Sequence, residues 1–402
     1  MKKGGKLEGD ALSLSKGWKV ERLGDVCEID KIPNRKKNLP YVGLEHIESN
    51  TGKFIGSTEP QSVKSMTFNF SDKHVLYGRL RPYLKKVLLP DFEGHCSSEI
   101  FPLKVSNQLE RGFLFHWLLS DETTEKINAT STGARMPRAN MNAVLDFEIP
   151  IPPLPEQQRI VSVLDEAFAS IAQAKSNAEQ NLVNARELFE SVLANMYESA
   201  GTHWEEKNLG DIASQMQTGP FGSTLHKSDY VANGIPVINP QNIVDGKIVP
   251  LQKMMVNQKT KERLSRYILQ EKDIVLARRG EMGRCAIVEK EQAGWLCGSG
   301  SFVVRIKKEV NANYLVRYLS SAKVKLILQK GSVGTTMDNL NQGILSQVPV
   351  PFPPLAEQRA IVERLEALSA ETGRLEEIYQ QKVDALEELK KSVLGKAFEG
   401  LL

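Results

Sequence analysis

The sequence predicts an α/β protein of the mixed α+β type, with two tandem pseudo-repeated globular domains separated by two long α-helices that pair as an antiparallel coiled coil. Three observations support this fold class. The phrase PPLPEQQRIV at 152–161 returns as PPLAEQRAIV at 353–362, with seven of ten positions identical. The segment before each phrase contains short apolar runs punctuated by Gly, Pro and Asn, which is typical of short strands. Neither glycine nor proline occurs from 156 to 200, as expected of a long helix.

The repeat extends over nearly the whole chain. GWKVERLGDV at 17–26 matches HWEEKNLGDI at 203–212, and CSSEIFPLKV at 96–105 matches CGSGSFVVRI at 297–306. The offset grows from 186 to 201, so the second copy carries about 15 extra residues near its start. A period this long indicates two tandem domains, because the unit of a solenoid has only about 20–50 residues. The predicted ranges are a flexible tail at 1–16, globular domains at 17–151 and 202–352, and long helices at 152–201 and 353–402.

Each proline phrase marks the start of a long helix. Proline is tolerated in the first helical turn, and a glutamate there interacts favourably with the positive end of the helix dipole. Apolar residues then recur in alternating steps of three and four, which predicts a heptad seam interrupted by Lys175, Thr372 and Lys382. The predicted seam consists of Val161, Leu164, Phe168, Ile171, Leu182, Phe189, Val192, Ile361, Leu365, Leu368, Leu375, Leu386, Leu389 and Val393. Helices this long and one-sided are expected to pack on each other.

Composition narrows the range of partners. The net charge of the chain is only +3, but residues 201–355 hold 20 basic and 13 acidic side chains, a local net of +7. This distribution favours a polyanionic partner, although lysine-rich solvated surfaces give similar totals. No run approaches the length of a membrane span, so no membrane association is expected. The four cysteines form no CxxC pair, which predicts buried thiols in a reducing cytoplasm and no metal site.

Three loops contain the candidate nucleic-acid contacts. GRLRPYLKK at 78–86, STGARMPRAN at 131–140 and ARRGEMGR at 277–284 combine basic residues with glycines. An arginine pair at the end of a strand can reach a phosphate or a guanine edge, although such residues are equally often solvated loop positions. The candidates are Arg79, Arg81, Lys85, Lys86, Arg135, Arg138, Arg278, Arg279 and Arg284.

The sequence shows no complete catalytic motif, and no catalytic residue is predicted. NPQN at 239–242 lacks the second proline and the aromatic residue of an amino-methyltransferase motif. No glycine-rich strand–loop–helix or Walker lysine loop is visible. Asp91 and Glu99 resemble a nuclease carboxylate pair only faintly, because the lysine that such sites need is missing. Coincidence is the favoured interpretation of that pair.

The whole pattern resembles the specificity subunit of type I restriction–modification enzymes. Each half runs from Trp-x4-Leu-Gly-Asp (Trp18 with Leu23–Asp25, and Trp204 with Leu209–Asp211) to the proline phrase and a long helix, so the resemblance covers residues 17–402. It implies a non-catalytic subunit in which each globular domain reads one half of a split site on double-stranded DNA. The helices would set the spacing and dock two methyltransferase subunits, which two endonuclease–translocase subunits then join.

The resemblance also implies that this chain binds no cofactor, and that S-adenosylmethionine, ATP and Mg are bound by the partner subunits. The first copy departs from the pattern because it lacks the glycine-rich opening TGPFGSTLHKSDYVANGIP of the second. Two other classes stay open at this point. One is a DNA methyltransferase or nuclease with degenerate motifs, and the other is a coiled-coil scaffold with two modules that bind something other than DNA.

Overall fold

A computed structural model describes residues 17–36, 38–198, 204–221, 224–331 and 340–402. The predicted tail at 1–16 lies outside the described residues. The chain forms two compact units, the first from residues 1–179 with 380–402 and the second from residues 180–379. Each unit combines a mixed α/β domain with parts of both long helices, which confirms the predicted fold class.

The first globular region is a series of short strands followed by helices. Its strands are β1 (Lys19–Arg22), β2 (Cys27–Ile29), β3 (Tyr41–Val42), β4 (Thr67–Phe70), β5 (His74–Gly78), β6 (Val87–Leu88), β7 (Gly94–Ser97), β8 (Ile100–Val105) and β9 (Glu148–Ile151). Its helices are α1 (Leu23–Val26), α2 (Arg111–Leu119), α3 (Asp121–Ala129) and α4 (Met141–Leu145). The first long helix, α5 (Leu154–Glu198), follows at once.

The second globular region repeats this order with additions near its start. Its strands are β10 (Glu205–Asn208), β11 (Ala213–Thr218), β12 (Tyr230–Val231), β13 (Ile235–Ile238), β14 (Ile243–Val244), β15 (Lys247–Ile248), β16 (Met255–Val256), β17 (Ile274–Ala277), β18 (Cys285–Ile287), β19 (Leu296–Cys297), β20 (Ser301–Ile306) and β21 (Pro349–Phe352). Its helices are α6 (Leu209–Ile212), α7 (Gln258–Arg263), α8 (Ala312–Leu319), α9 (Ala322–Gly331) and α10 (Gln342–Ser346), before the second long helix, α11 (Leu355–Phe398).

The two units share their sheet topology. The order β2-β8-β5-β6 in the first corresponds to β11-β20-β17-β18 in the second, and both sheets are antiparallel. A parallel pairing also repeats, because β3 lies beside β7 as β13 lies beside β19. The first strand of each globular region pairs with its last, β1 with β9 and β10 with β21. The globular region therefore closes just before the long helix begins.

The Leu-Gly-Asp motif is explained by close packing. Leu23 and Leu209 are fully buried in the cores of their units. A Cβ added at Gly24 would lie 3.2 Å from the carbonyl oxygen of Leu145, and one at Gly210 would lie 3.1 Å from Cβ of Ser346. Glycine therefore lets α1 approach α4, and α6 approach α10, more closely than a larger residue would.

The long helices pair antiparallel within each unit. In the first unit, Phe168 of α5 packs beneath the Lys390 ammonium of α11, and Lys175 forms an ion pair with Glu387. In the second unit, Nε of Arg186 donates a hydrogen bond to Glu376 at 3.0 Å. The lysine that interrupts the predicted seam thus meets a carboxylate. Partly exposed pairs of this kind add little stability.

The structure corrects the predicted seam at Leu389. Leu164, Ile171, Ile361 and Leu365 are buried, whereas Leu389 is 47% exposed. Near the end of α11 the buried positions are instead Leu394 and Ala397. An α-helix has 3.6 residues per turn rather than 3.5, so a strict heptad pattern drifts around it and the buried face moves to the next residue. The interruption at Thr372 is buried and donates its hydroxyl to the carbonyl of Leu368 at 3.0 Å.

The repeated glutamine of the proline phrase holds each long helix to its globular region. Gln157 is fully buried, and its side-chain oxygen accepts a hydrogen bond from the backbone N–H of Glu110 at 2.7 Å. Its amide nitrogen donates to the carbonyls of Gln108 and Pro152 at 2.9 and 2.8 Å.

The second unit repeats this arrangement. Gln358 accepts from the N–H of Asn311 at 2.8 Å and donates to the carbonyls of Glu309 and Pro353 at 3.2 and 2.8 Å. Glu110 and Asn311 are the residues that cap α2 and α8. The phrase therefore recurs partly because the same buried backbone groups need the same amide in both units.

We expect Gln157→Leu to lower the free energy of unfolding by about 3 kcal/mol or more, because one N–H and two carbonyls would lose their buried partner. Thermal unfolding of the full chain measures the effect. Gln158 is the exposed neighbour of Gln157, so Gln158→Leu is the matched control and should change the melting temperature little. Equal melting of the two variants would contradict the role given to Gln157.

Each unit also contains the end of the other unit's long helix. The ring of Phe398, at the end of α11, contacts Phe113 of α2 at a centroid distance of 5.0 Å. In the second unit, Tyr197 near the end of α5 contacts Tyr314 of α8 at 5.6 Å and donates its hydroxyl to the Tyr314 carbonyl. Leu394 and Ala397 belong to the first core in the way that Leu193 and Tyr197 belong to the second.

The cysteines are buried, as the sequence predicts. All four are buried and free, and burial raises the pKa of the Cys27 and Cys96 thiols to about 12. Within the described ranges, no group of three His, Cys, Asp or Glu side chains is placed to hold a metal ion. The described part of the chain also contains no helix that is long and apolar enough to cross a membrane.

Candidate nucleic-acid interface

An arginine follows the same strand in both units. The backbone N–H of Arg79, after β5, donates to the carbonyl of Glu99 at 3.0 Å, and its own carbonyl accepts from Ala139 at 2.8 Å. The N–H of Arg278, after β17, donates to the carbonyl of Gly300 at 2.8 Å, and its carbonyl accepts from Leu340 at 3.1 Å. The two arginines are therefore structurally equivalent.

In the first unit a single carboxylate holds two arginines. Glu99 accepts a hydrogen bond from Nε of Arg79 at 3.0 Å and from Nε of Arg138 at 2.9 Å. Arg79 lies over the ring of Phe101 at 5.2 Å, and the ammonium of Lys31 lies over the same ring at 3.8 Å. Burial, followed by repulsion from Arg79, lowers the pKa of Lys31. These five residues form a basic cluster, which we name the Glu99 cluster.

Two further candidates lie on loops beside the Glu99 cluster. The N–H of Arg81 donates to the carbonyl of Pro137 at 2.7 Å, and Thr132 and Arg138 exchange backbone hydrogen bonds at 3.0 and 3.1 Å. Arg135 is exposed in the loop that these bonds close, and Arg81 is exposed with a left-handed backbone. The structure therefore brings Arg79, Arg81 and Arg138 together and places Arg135 on an adjoining loop.

Lys85 and Lys86 bind the protein instead of facing outward with these arginines. Nζ of Lys85 donates to the carbonyl of Leu119 at 2.9 Å and forms an ion pair with Asp121. Nζ of Lys86 donates to the carbonyls of Leu44 and Ile47 at 2.7 and 2.6 Å. Both ammonium groups thus satisfy backbone oxygens in their own unit, and a DNA contact would have to displace those bonds.

In the second unit the equivalent arginine is held without a carboxylate. Nε of Arg278 donates to the carbonyl of Leu340 at 2.9 Å, and its guanidinium lies 5.1 Å from the centre of the Phe221 ring. Phe221 is 55% exposed. Nη1 of Arg278 is buried and has no hydrogen-bond partner among the described residues. Burial, followed by repulsion from Arg279, lowers the pKa of Arg278.

The remaining two candidates differ from each other. Arg279 is exposed next to Arg278. Nη2 of Arg284 donates to Glu281 at 2.5 Å, and its Nη1 lies 3.4 Å from the carbonyl of Pro240. Arg284 also lines a cavity of about 300 Å³ together with Glu281 and Lys325. The charge of Arg284 is therefore partly neutralised by Glu281. In this respect Arg284 differs also from Arg278, on which the described structure places no carboxylate.

Sequence reasoning missed the partners of these arginines. Alignment of the two copies places Glu99 opposite Gly300, so the difference was visible in the sequence. The sequence could not show that Glu99 binds Arg79 and Arg138, because these arginines lie 20 and 39 residues away along the chain. Lys31 and the rings of Phe101 and Phe221 gave no signal at all, since isolated lysines and aromatic residues occur throughout such domains.

The fold defines a class of protein with two homologous globular modules, each of which places an arginine after the equivalent strand of its sheet. A family model described as the type I restriction modification DNA specificity domain matches residues 15–181 and 202–383. The chain therefore belongs to this family and carries two copies of its domain.

Individual relatives agree with this assignment. The chain is 29% identical to the EcoDI type I restriction enzyme specificity subunit of Escherichia coli over 228 residues, which cover 55% of this chain and 51% of that protein. It is 24% identical to the MjaVIII specificity subunit of Methanocaldococcus jannaschii over 98% of this chain and 95% of that protein. The match to EcoDI thus spans about half the length of that relative.

A solved structure shares the fold. The crystal structure of the HsdS subunit from Thermoanaerobacter tengcongensis has a TM-score of 0.68 and 23% identity, covering 98% of this chain and all of that one. A chain from a study of complex assembly in the type I R-M system has a TM-score of 0.81 and 24% identity, covering 97% of this chain and all of that chain. Both likenesses extend over two tandem domains and two long helices.

Proposed function

We propose that this chain is the DNA-recognition subunit of a type I restriction–modification complex. Residues 17–151 and 202–352 are the two target recognition domains, and each reads one half of a bipartite site on double-stranded DNA. One observation supports the proposal most directly. Arg79 and Arg278 occupy equivalent positions in the two units and make equivalent backbone hydrogen bonds. Two equivalent recognition domains in one chain are what a DNA target with two half-sites requires.

Catalysis in this proposal belongs to other chains. Two methyltransferase subunits dock on the long helices, and two endonuclease–translocase subunits join them. S-adenosylmethionine, ATP and Mg bind to those partners, and the complex works in the cytoplasm. The local charge of +7 in residues 201–355 supports a polyanionic ligand, because neutralising phosphates with lysine and arginine releases counterions from DNA.

The spacing of the two half-sites is assigned to the helices. α5 begins in the first unit and ends in the second, and α11 runs in the opposite sense. At 1.5 Å per residue, a helix of 45 residues is about 68 Å long. Because each long helix has residues in both units, we assign the half-site spacing to these helices.

Replacing Arg278 and Arg279 together with Ala should weaken DNA binding by the assembled methyltransferase and alter only one half of its target. If the arginines bind phosphates, the slope of log K against log salt should fall by about 0.9 for each phosphate that is no longer neutralised. If they bind a base edge, the substitution should instead cost about 1–3 kcal/mol of discrimination at one position. Fluorescence anisotropy across a salt series, with sequencing of the methylated sites, measures both.

The matched control replaces Lys290 and Lys308 with Ala. These exposed lysines follow β18 and β20 at the opposite end of the sheet and carry the same total charge. We expect this variant to bind as the original complex does. If the arginine variant assembles and keeps both its affinity and its sequence preference, the two arginines do not contact DNA and this half of the proposal fails.

A further inference from the structure

We infer that Glu99 is a positioning residue that sets Arg79 to read a guanine in the half-site of the first domain. This inference rests on the proposed function and adds the base that is read and the group that aims the reader. The nitrogens of Arg79 differ in whether they already make a hydrogen bond within the protein. Glu99 takes the Nε hydrogen at 3.0 Å, and the described residues provide no hydrogen-bond partner for either terminal nitrogen of Arg79.

The ring of Phe101 limits the remaining freedom of the Arg79 side chain. The guanidinium lies 5.2 Å from the ring centre, so attraction to the aromatic ring restricts its position. A charge-assisted hydrogen bond at Nε and a ring contact together fix the direction of the two terminal N–H groups. The two terminal nitrogens of Arg79 are left as an end-on pair of parallel N–H donors. Because the Arg79 side chain is one-third exposed, a ligand can reach them.

The two parallel N–H donors of Arg79 match a pair of adjacent acceptors on the edge of a base. In the major groove, guanine presents O6 and N7 side by side, and the bidentate arginine contact to this pair is the commonest specific contact to a base. A phosphate also offers two acceptors and binds arginine in a similar bidentate way, so the two donors alone do not favour guanine. The Glu99 carboxylate does, because it cancels one of the two arginine charges, which weakens attraction to phosphate while leaving hydrogen-bond direction intact.

The second unit supports the same interpretation by contrast. Arg278 also gives its Nε to the protein, but to the neutral carbonyl of Leu340, and Gly300 stands where Glu99 stands in the first unit. Arg278 therefore keeps its full charge beside Arg279. The carboxylate is specific to the first domain, so its removal should change one half-site and leave the other as an internal reference.

The test uses the full chain assembled with the methyltransferase subunit of its own system. Glu99→Gln removes the charge that holds Arg79 and Arg138 with almost no change in size. We expect discrimination at one guanine position of the first half-site to fall roughly tenfold or more, while affinity for unrelated DNA and its salt dependence increase. Arg79→Lys keeps the charge but not the fork, and should lose the same discrimination while unrelated DNA binds as before.

Mapping of methylated sites and binding to DNA with single base changes give the readouts. Full discrimination in the Glu99→Gln complex, or a uniform loss of affinity for every sequence in the Arg79→Lys complex, would overturn the inference in favour of a phosphate contact. If Glu99→Gln fails to assemble, Arg79→Lys alone decides. The proposed function fails separately, if the unaltered complex prefers no bipartite sequence.

Discussion

Replacing Ala397 with Asp should strongly destabilise the first compact unit and leave the stability of the second unchanged. Ala397 lies near the end of α11 and is fully buried in the core of the first unit, more than 200 residues along the chain from most of that core. An uncompensated buried charge costs about 3–5 kcal/mol, which is a large part of the stability of a typical domain. We therefore expect the local free energy of opening to fall by that amount.

Hydrogen exchange distinguishes the two units. Amides of α2, whose Phe113 contacts Phe398 beside Ala397, should lose protection, and amides of α8 in the second unit should keep it. The reverse pattern is expected for Leu193→Asp, because Leu193 near the end of α5 is buried in the second core.

Leu389→Asp is the matched control on the same helix. Leu389 is exposed, so a charge there should alter neither protection nor melting temperature appreciably. Equal loss of protection in both units with Ala397→Asp would contradict the assignment of the end of α11 to the first core. So would a destabilising effect of Leu389→Asp that matches that of Ala397→Asp.

This pair of variants also shows where sequence reasoning reached its limit on the helices. Spacing in steps of three and four predicts both long helices, and their starts follow from the proline phrase. The same spacing assigns Leu389 to the seam, because a heptad template ignores the drift of a straight helix. It also gives no indication that the last turns of each helix complete the core of the globular region in the other half of the sequence.

The candidate interface was predictable to a similar degree. Alignment of the two copies pairs Arg79 with Arg278, and the structure places these arginines after equivalent strands, β5 and β17. The alignment cannot tell that Lys85 and Lys86, which look equally basic, bind backbone carbonyls of their own unit. The function of Gln157 was hidden for the same reason, because its partners lie 47 and 49 residues away and become neighbours only after folding.

Lengthening both long helices by four residues should widen the gap between the two half-sites by one or two base pairs. The insertions are placed after Glu179 in α5 and after Tyr379 in α11, between the ion pairs Lys175–Glu387 and Arg186–Glu376. Inserting in both helices preserves each of these pairs, whereas inserting in one helix alone would shift their register. Four residues add about 6 Å along the axis, which corresponds to one or two base-pair steps of about 3.4 Å.

The rotation that the insertion causes also favours a gap that is longer by one base pair. Four residues turn the following part of a helix by about 40° beyond a full turn, and one base-pair step of a duplex with about 10 bp per turn rotates by about 35°. The displaced domain therefore meets the groove at nearly its original angle after one extra step. Both half-site sequences should stay unchanged, because no residue of either globular region is altered.

Sequencing of methylated sites in cells that carry the lengthened chain decides the outcome. A control chain carries the same four residues as substitutions of exposed helix positions, with no change in length, and should keep the original gap. Thermal unfolding of the purified complex must first show that the lengthened helices still assemble. An unchanged gap in an assembled complex that still methylates both half-sites would mean that the helices do not set the spacing, and the distance would then have to be fixed by the partner subunits that hold the DNA.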